Sequence, residues 1–235
     1  MGGFLRFLAL FAVLAAVLVL IVLPLAAAPV LAGMIRDMGL RSDSLQVSVA
    51  LFDPSLLLGH SRSIHVSAEN VDLAPATVGT LDLTLGDVAF FDRTWGTVQG
   101  EMRDVSLTTG GQTFTVDDLT VGGPAEAASA TARLSPAQTE ALIRFAAERE
   151  GLPLDDVQLS NGGVTVTSHG VETQGQLVVR GGALVLLPGT GTGGVPLIQP
   201  APSDGWRLEE AWISDEGLNV RGTVDTTDLA SQIAK

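Results

Sequence analysis

The chain has 235 residues, 26 acidic and 13 basic, with no cysteine. All the acidic residues lie at or after Asp37, and two of the basic ones, Arg6 and Arg36, precede it, which leaves the remainder at −15. That charge excludes electrostatic binding of nucleic acid and a polybasic clamp on anionic lipid, and the lack of cysteine excludes disulfides, thiolate metal sites and a cysteine nucleophile.

No charge interrupts Phe7 to Ile35, and Phe7 to Leu23 is almost wholly Leu, Val, Ala, Phe and Ile. About 20 such residues in a helix cross the hydrocarbon core. Arg6 on the near side and the acidic residues on the far side place the N-terminus in the cytoplasm and the bulk of the chain outside it. A cleaved signal peptide is the alternative, with Ala26-Ala27-Ala28 and Val30-Leu31-Ala32 as small-residue cleavage sites. The expected division is therefore 1–36, a cytoplasmic stub, a transmembrane anchor or signal peptide and the start of a linker, and 37–235, one extracytoplasmic β-rich domain. Pro29 to Leu40 extends the linker as a short amphipathic helix, with Leu31, Ile35 and Met38 at helical spacing.

From Leu45 the period becomes two. Leu45, Val47, Val49 and Leu51 alternate with polar residues, as do Ile64, Val66 and Ala68, then Leu81, Leu83 and Leu85, which reads as half-buried strands. Further strands are expected at Met102–Thr108, Thr113–Val121, Gly163–Ser168, Gly175–Val179, Ala183–Leu187, Trp206–Ser214 and Gly217–Val224. Asn161-Gly162, Ser168-His169-Gly170 and Arg180-Gly181-Gly182 supply turns between them. Ser135-Pro136-Ala137-Gln138 has a capping Ser, Pro at the first helical position and Gln at the third, so 136–150 is a helix stopped by Gly151. Its apolar stripe is Ala141, Leu142, Phe145 and Ala146, with Glu140, Arg144, Glu148 and Arg149 facing water. The fold class is α+β and mostly β: a transmembrane helix, then a curved antiparallel sheet packed around one or two helices.

The candidates for chemistry are few. Gly189 to Gly194 has G-x-G-x-x-G spacing, but Val195-Pro196 and Pro200 to Pro202 cannot open the helix that a dinucleotide site needs, so the run reads as a flexible hairpin linker. His60, His65 and His169 lack metal-ligand spacing, and Asp117-Asp118 and Asp155-Asp156 sit outside any calcium-loop pattern. Neither a G-x-S-x-G elbow nor an H-E-x-x-H helix occurs, so no enzyme, metal or cofactor is expected. What remains is apolar: Leu51 to Gly59, with Leu56, Leu57 and Leu58, and Val88 to Gly96, with Phe90 and Phe91. Each places bulky groups beside turn formers, as a core does, and as the rim of an acyl-chain cleft does.

The run from Phe52-Asp-Pro-Ser-Leu-Leu-Leu-Gly59 through Arg62 is followed by Ile64-His-Val-Ser-Ala-Glu-Asn-Val-Asp-Leu73, the Leu134-Ser-Pro helix and Gly181-Gly182-Ala-Leu-Val-Leu-Leu-Pro188. In this order, over most of Pro29 to Val224, the chain resembles the LmeA-like phospholipid-binding family of bacterial envelope proteins. The resemblance implies an extracytoplasmic lipid-binding domain related to the tubular lipid-binding fold, a role in envelope assembly, and no catalytic residue. The expected function is a membrane-anchored lipid-binding protein in which Leu56, Leu57, Leu58, Phe90, Phe91 and Phe145 meet acyl chains. Arg62 and Arg93 pair with a phosphate headgroup or, alternatively, with nearby carboxylates. Its partners would be the membrane and a phospholipid or other acyl-chain ligand, with neither nucleic acid nor metal. The competing functions are an envelope scaffold binding a protein or polysaccharide, and a hydrolase or transferase with a site scattered in sequence.

Overall fold

A computed structural model describes residues 42–49, 60–73, 76–89, 92, 94–109, 112–160, 162–189, 193–200 and 205–226. The apolar span over 7–35, the linker helix and the Leu51 to Gly59 run lie outside the described residues, and no described helix is long and apolar enough to cross a membrane.

The chain forms two antiparallel sheets where the sequence suggested one. Strands β1 (Ser44–Val49), β2 (His60–Leu73), β3 (Ala76–Ala89), β4 (Thr97–Thr109), β5 (Gln112–Pro124) and β6 (Ala128–Leu134) pair in succession. A 3-10 turn (Ala125–Ala127) joins β5 to β6. Helix α1 (Pro136–Arg149) follows, then β7 (Asp156–Ser160), β8 (Gly163–Ser168), β9 (Val171–Arg180), β10 (Ala183–Pro188) and β11 (Val195–Ile198), which make a separate five-stranded sheet. Finally β12 (Trp206–Ser214) and β13 (Gly217–Val224) return to the first sheet, where β13 pairs with β6 and completes eight strands.

Three of these strands are not legible in the sequence. β6 reads Ala-Ser-Ala-Thr-Ala-Arg-Leu, and its inward side chains, Ala128, Ala130, Ala132 and Leu134, are mostly too small to mark a strand. β7 is short, and β11 follows directly on the glycine run expected to be a linker, with Leu197 and Ile198 buried although Pro196 is in the strand. Pro196 is tolerated because β11 is the edge of its sheet.

Helix α1 begins as expected, with the Ser135 side chain accepting from the Gln138 amide at 3.4 Å and Pro136 in the first turn. Its buried side shares Leu142 and Ala146 with the expected stripe. Thr139, Leu142, Ile143, Ala146 and Ala147 are buried, whereas Ala141 and Phe145 are half-buried. The reason is that α1 packs on both sheets at once, on β5, β6 and β13 of the larger and on β7 and β11 of the smaller. Thr139 is tolerated inside because its hydroxyl donates to the Ser135 carbonyl at 2.9 Å. Arg144, expected to face water, is half-buried and donates to the carbonyls of Leu154 and Asp155 at 3.2 and 3.3 Å. Arg149 donates to the Pro196 carbonyl at 3.1 Å. The two arginines thus fasten the helix to the smaller sheet.

In the long strands the inward residues do not simply alternate. Burial runs Ala68 then Val71 in β2, Val78 then Leu81 in β3, Met102 then Val105 in β4, and Val116 then Leu119 in β5, a step of three where a flat strand allows two. The steps are in register: Ala68, Leu81, Met102 and Leu119 form one cross-strand row, and Val71, Val78, Val105 and Val116 the next. Between these rows Asn70 and Asp104 take the left-handed conformation, φ 50° and 52°, beside Gly79, where an added Cβ would stand 2.9 Å from the Asp104 Cβ. A second line repeats the device at the other end of β3. Asp87 has φ 52° beside Gly96, and the inward set steps from Ser61 to Ile64, Leu85 to Val88 and Trp95 to Val98. Each line turns the pleat over locally and keeps apolar groups on one face.

That end of the sheet is knotted by one buried chain of hydrogen bonds. Trp95 Nε1 donates to Thr226 Oγ1 at 2.9 Å, and the same hydroxyl donates to the Ala125 carbonyl at 2.9 Å. Thr226→Val keeps the volume and orphans two buried polar groups, so it should lower stability by about 2 kcal/mol, whereas Thr226→Ser should cost less than half of that. Thermal unfolding followed by tryptophan fluorescence checks it; equal midpoints for valine and wild type would show that the hydroxyl contributes nothing.

Candidate functional site

The chain segments expected to meet lipid join the larger sheet at one end. β1 leaves its pairing at Val49 opposite Ile64, β2 enters at His60 opposite Ala89, and Ala89 pairs back to Thr94. The stretch carrying Leu56, Leu57 and Leu58 therefore re-enters the sheet next to the strand end from which Phe90 and Phe91 depart. Those five residues and Arg93 lie outside the described residues. Arg62 is described: it is exposed on β2, engaged in an interaction, and opposite the left-handed Asp87, since Ser61 pairs with Val88 and Ser63 with Gly86.

Phe145 does not share that location. Its ring meets Phe114 edge-on, centroids 5.4 Å apart and planes at 64°, under α1. Phe114 is near the start of β5, and ten residues of strand, roughly 33 Å at about 3.3 Å per residue, separate it from Pro124 at the end where Phe90 departs. An acyl chain covering half of a bilayer core of about 30 Å does not reach both ends. Phe145 and the Ala89 end of β3 thus belong to opposite ends of the sheet, which local sequence spacing cannot show.

Between these ends lies the inner face. Ile64, Val66, Leu83, Leu85, Val98, Met102, Val105, Val116 and Leu119 are all at most 1% exposed, and Ser61 is the polar exception. The packing is close: a Cβ added to Gly100 would strike Leu83 Cδ2 and the Asp82 carbonyl. Among the described residues, hollows occur on the outer, polar faces. One of about 670 Å³ on the larger sheet is lined by Thr80, Asp82, Thr84, Gln99, Glu101, Arg103 and Thr120, among others. Its charges are spoken for: Arg103 donates to Glu101 at 2.5 Å and lies 3.7 Å from Asp118, and His65 is 3.6 Å from Asp82. The ladder continues as Arg133 pairs with Asp118 and donates to Glu216 at 2.7 Å, and hydrogen bonds, to Asp118 first, raise the Arg133 pKa above its usual value. Asp156, bonded by Gln158 at 2.8 Å and facing Arg144, has its carboxyl held below the usual range, chiefly by the Gln158 bond. Another hollow, of about 800 Å³, lies on the outer face of the smaller sheet, beside Gln174, Gln176 and Arg180.

Among the described residues no group of three or more His, Asp or Glu could hold a metal ion. The acidic pairs separate as their strand positions require: Asp118 enters the arginine ladder, and Asp155 accepts from the Gly170 amide at 3.1 Å. The arrangement offers long apolar packing on one side and hydrogen bonding on the other. Compared with protein-family models, curated proteins and solved structures, the chain matches none.

Proposed function

We propose that this chain is a membrane-anchored, extracytoplasmic, non-enzymatic protein that binds phospholipid by its acyl chains along the inner face of the larger sheet and serves envelope assembly or lipid handling. The observation that carries the reading is the length of that face. Strands β2 to β5 run 13 or 14 residues, roughly 45 Å, where five or six residues suffice for an ordinary strand, and their inward groups are apolar almost throughout. The uncharged span over 7–35 and the resemblance to the LmeA-like family support it from the sequence. Acyl chains would enter from the end where the Leu56-Leu57-Leu58 and Phe90-Phe91 segments join, with Arg62 and Arg93 near the headgroup.

A second reading, an envelope scaffold that binds a protein or polysaccharide partner, draws on the closed packing of the same face, with Ile64, Leu83 and Met102 at 0% exposure. Native mass spectrometry of 37–235 purified from cells, with lipid extraction of what accompanies it, separates the two. Stoichiometric phospholipid is the expected result. Protein that is reproducibly empty and takes up no added lipid would leave the scaffold.

A further inference from the structure

We infer that the hollow on the outer face of the smaller sheet is a binding site for an acidic saccharide, with Gln174, Gln176, Thr165 and Ser160 meeting sugar hydroxyls and Arg180 taking the sugar's carboxylate or phosphate. The site is separate from the inner face of the larger sheet, so the inference stands whether or not that face binds lipid.

The geometry follows from strand alternation. On β9 the inward residues are Gly175, Leu177 and Val179, which leaves Gln174, Gln176 and Arg180 on the outer face. Thr165 of β8 pairs with Gln174, and Leu187 of β10 pairs with Gln176, so two hydroxyl or amide groups and an apolar floor stand side by side. Gly163 keeps the floor low, and Ser160 closes it at the β7–β8 turn. At about 800 Å³ the hollow has the size of a small-ligand site.

Charge decides what it would hold. Six described arginines, Arg103, Arg133, Arg144, Arg149, Arg207 and Arg221, have a carboxylate within 4 Å, and Arg62 is engaged as well. Arg180 makes no ion pair or hydrogen bond among the described residues, in a chain whose acidic residues outnumber its basic ones two to one. None of the residues lining the hollow is acidic, and the side chains of Thr165, Gln174 and Gln176 are likewise without a partner among the described residues. Amides and hydroxyls, each able to donate and accept, match the paired hydroxyls of a sugar, and a guanidinium matches a planar or tetrahedral oxyanion. A nucleotide would want a stacking aromatic, and the hollow has none. An extended peptide would want a strand edge, whereas the hollow lies over β8, β9 and β10, inside the sheet. The hollow on the larger sheet lacks this character because two carboxylates, Asp82 and Glu101, line it, and its one guanidinium, Arg103, is held by Glu101.

Calorimetric titration of the full chain in detergent tests the inference with four probes: trigalacturonate, glucose 6-phosphate, neutral maltotriose and inorganic phosphate. At least one anionic sugar should bind ten times more tightly than maltotriose and inorganic phosphate, and the preference between the two anionic sugars identifies the oxyanion. Arg180→Gln should bring that sugar's affinity down to that of maltotriose, and Gln174→Ala with Gln176→Ala should weaken it at least tenfold, with thermal midpoints unchanged because all three side chains are exposed. Absence of binding by both anionic sugars, equal binding of inorganic phosphate, or full affinity in Arg180→Gln would overturn it.

Discussion

Replacing Gly217 with alanine is expected to lower stability by about 3 kcal/mol or more, and the thermal midpoint by roughly 6–12 °C for a domain of this size. Two causes act together. Gly217 opens β13 with φ at 119°, a region that L side chains rarely adopt. The alanine Cβ would also run into the Leu134 carbonyl oxygen and stand 2.9 Å from the Ser135 carbonyl carbon. Those are backbone atoms at the point where β6 hands over to α1, so neither yields without disturbing the Ser135 cap and the β6–β13 pairing that begins at Leu218 and Leu134. Gly162→Ala separates the causes, since φ there is 84° and nothing lies within 4 Å of the added Cβ. It should cost about 1 kcal/mol. Equal losses in urea-unfolding free energy would eliminate the collision with Leu134.

Leu83→Ala should cost between about 2 and 5 kcal/mol, the range for emptying a leucine site in a closed core. Leu83 is wholly buried, pairs with Val66 on one side and stands against Gly100 on the other. Position 100 has no side chain to move into the space, so the cavity persists and the upper half of the range applies. Adding Gly100→Ala should not restore the loss, because its Cβ would meet the Asp82 carbonyl even after Leu83 Cδ2 is removed. Denaturant titration of the two single variants and the double variant checks this. A double variant as stable as wild type would mean that β3 and β4 move apart more easily than their ladder implies.

The parts of the fold that sequence reasoning reaches are those that local chemistry determines. Ser135, Pro136 and Gln138 define the start of α1, and β8, β12 and β13 fall on the expected residues, because capping groups and alternation act within a few positions. What escapes depends on partners distant in the chain. β6 is built of alanine and owes its place to β5 and β13, and the buried side of α1 is set by two sheets that the sequence does not show to be two. The outer-face hollow escapes for the same reason, since Ser160, Gln176 and Arg180 meet only through the β7–β8–β9 register. The residues expected to meet lipid behave differently: Leu56 to Leu58 and Phe90-Phe91 are conspicuous locally, and Phe145 too, yet register assigns Phe145 to the end of the sheet far from Ala89.

The two lines of left-handed residues give the larger sheet the mechanics of a plate scored across its grain. Bending at such a line needs no ladder bond to open, because the pairs on either side, Glu69 with Thr80 and Val71 with Val78, keep one register across it. The lines therefore fix where the larger sheet can curve, at Asn70, Asp104 and Asp87, while the strands stay paired from β1 to β12. The score marks are made by short acids, an amide and glycines, so single substitutions there would retune the curvature of the whole face without touching one of its apolar side chains.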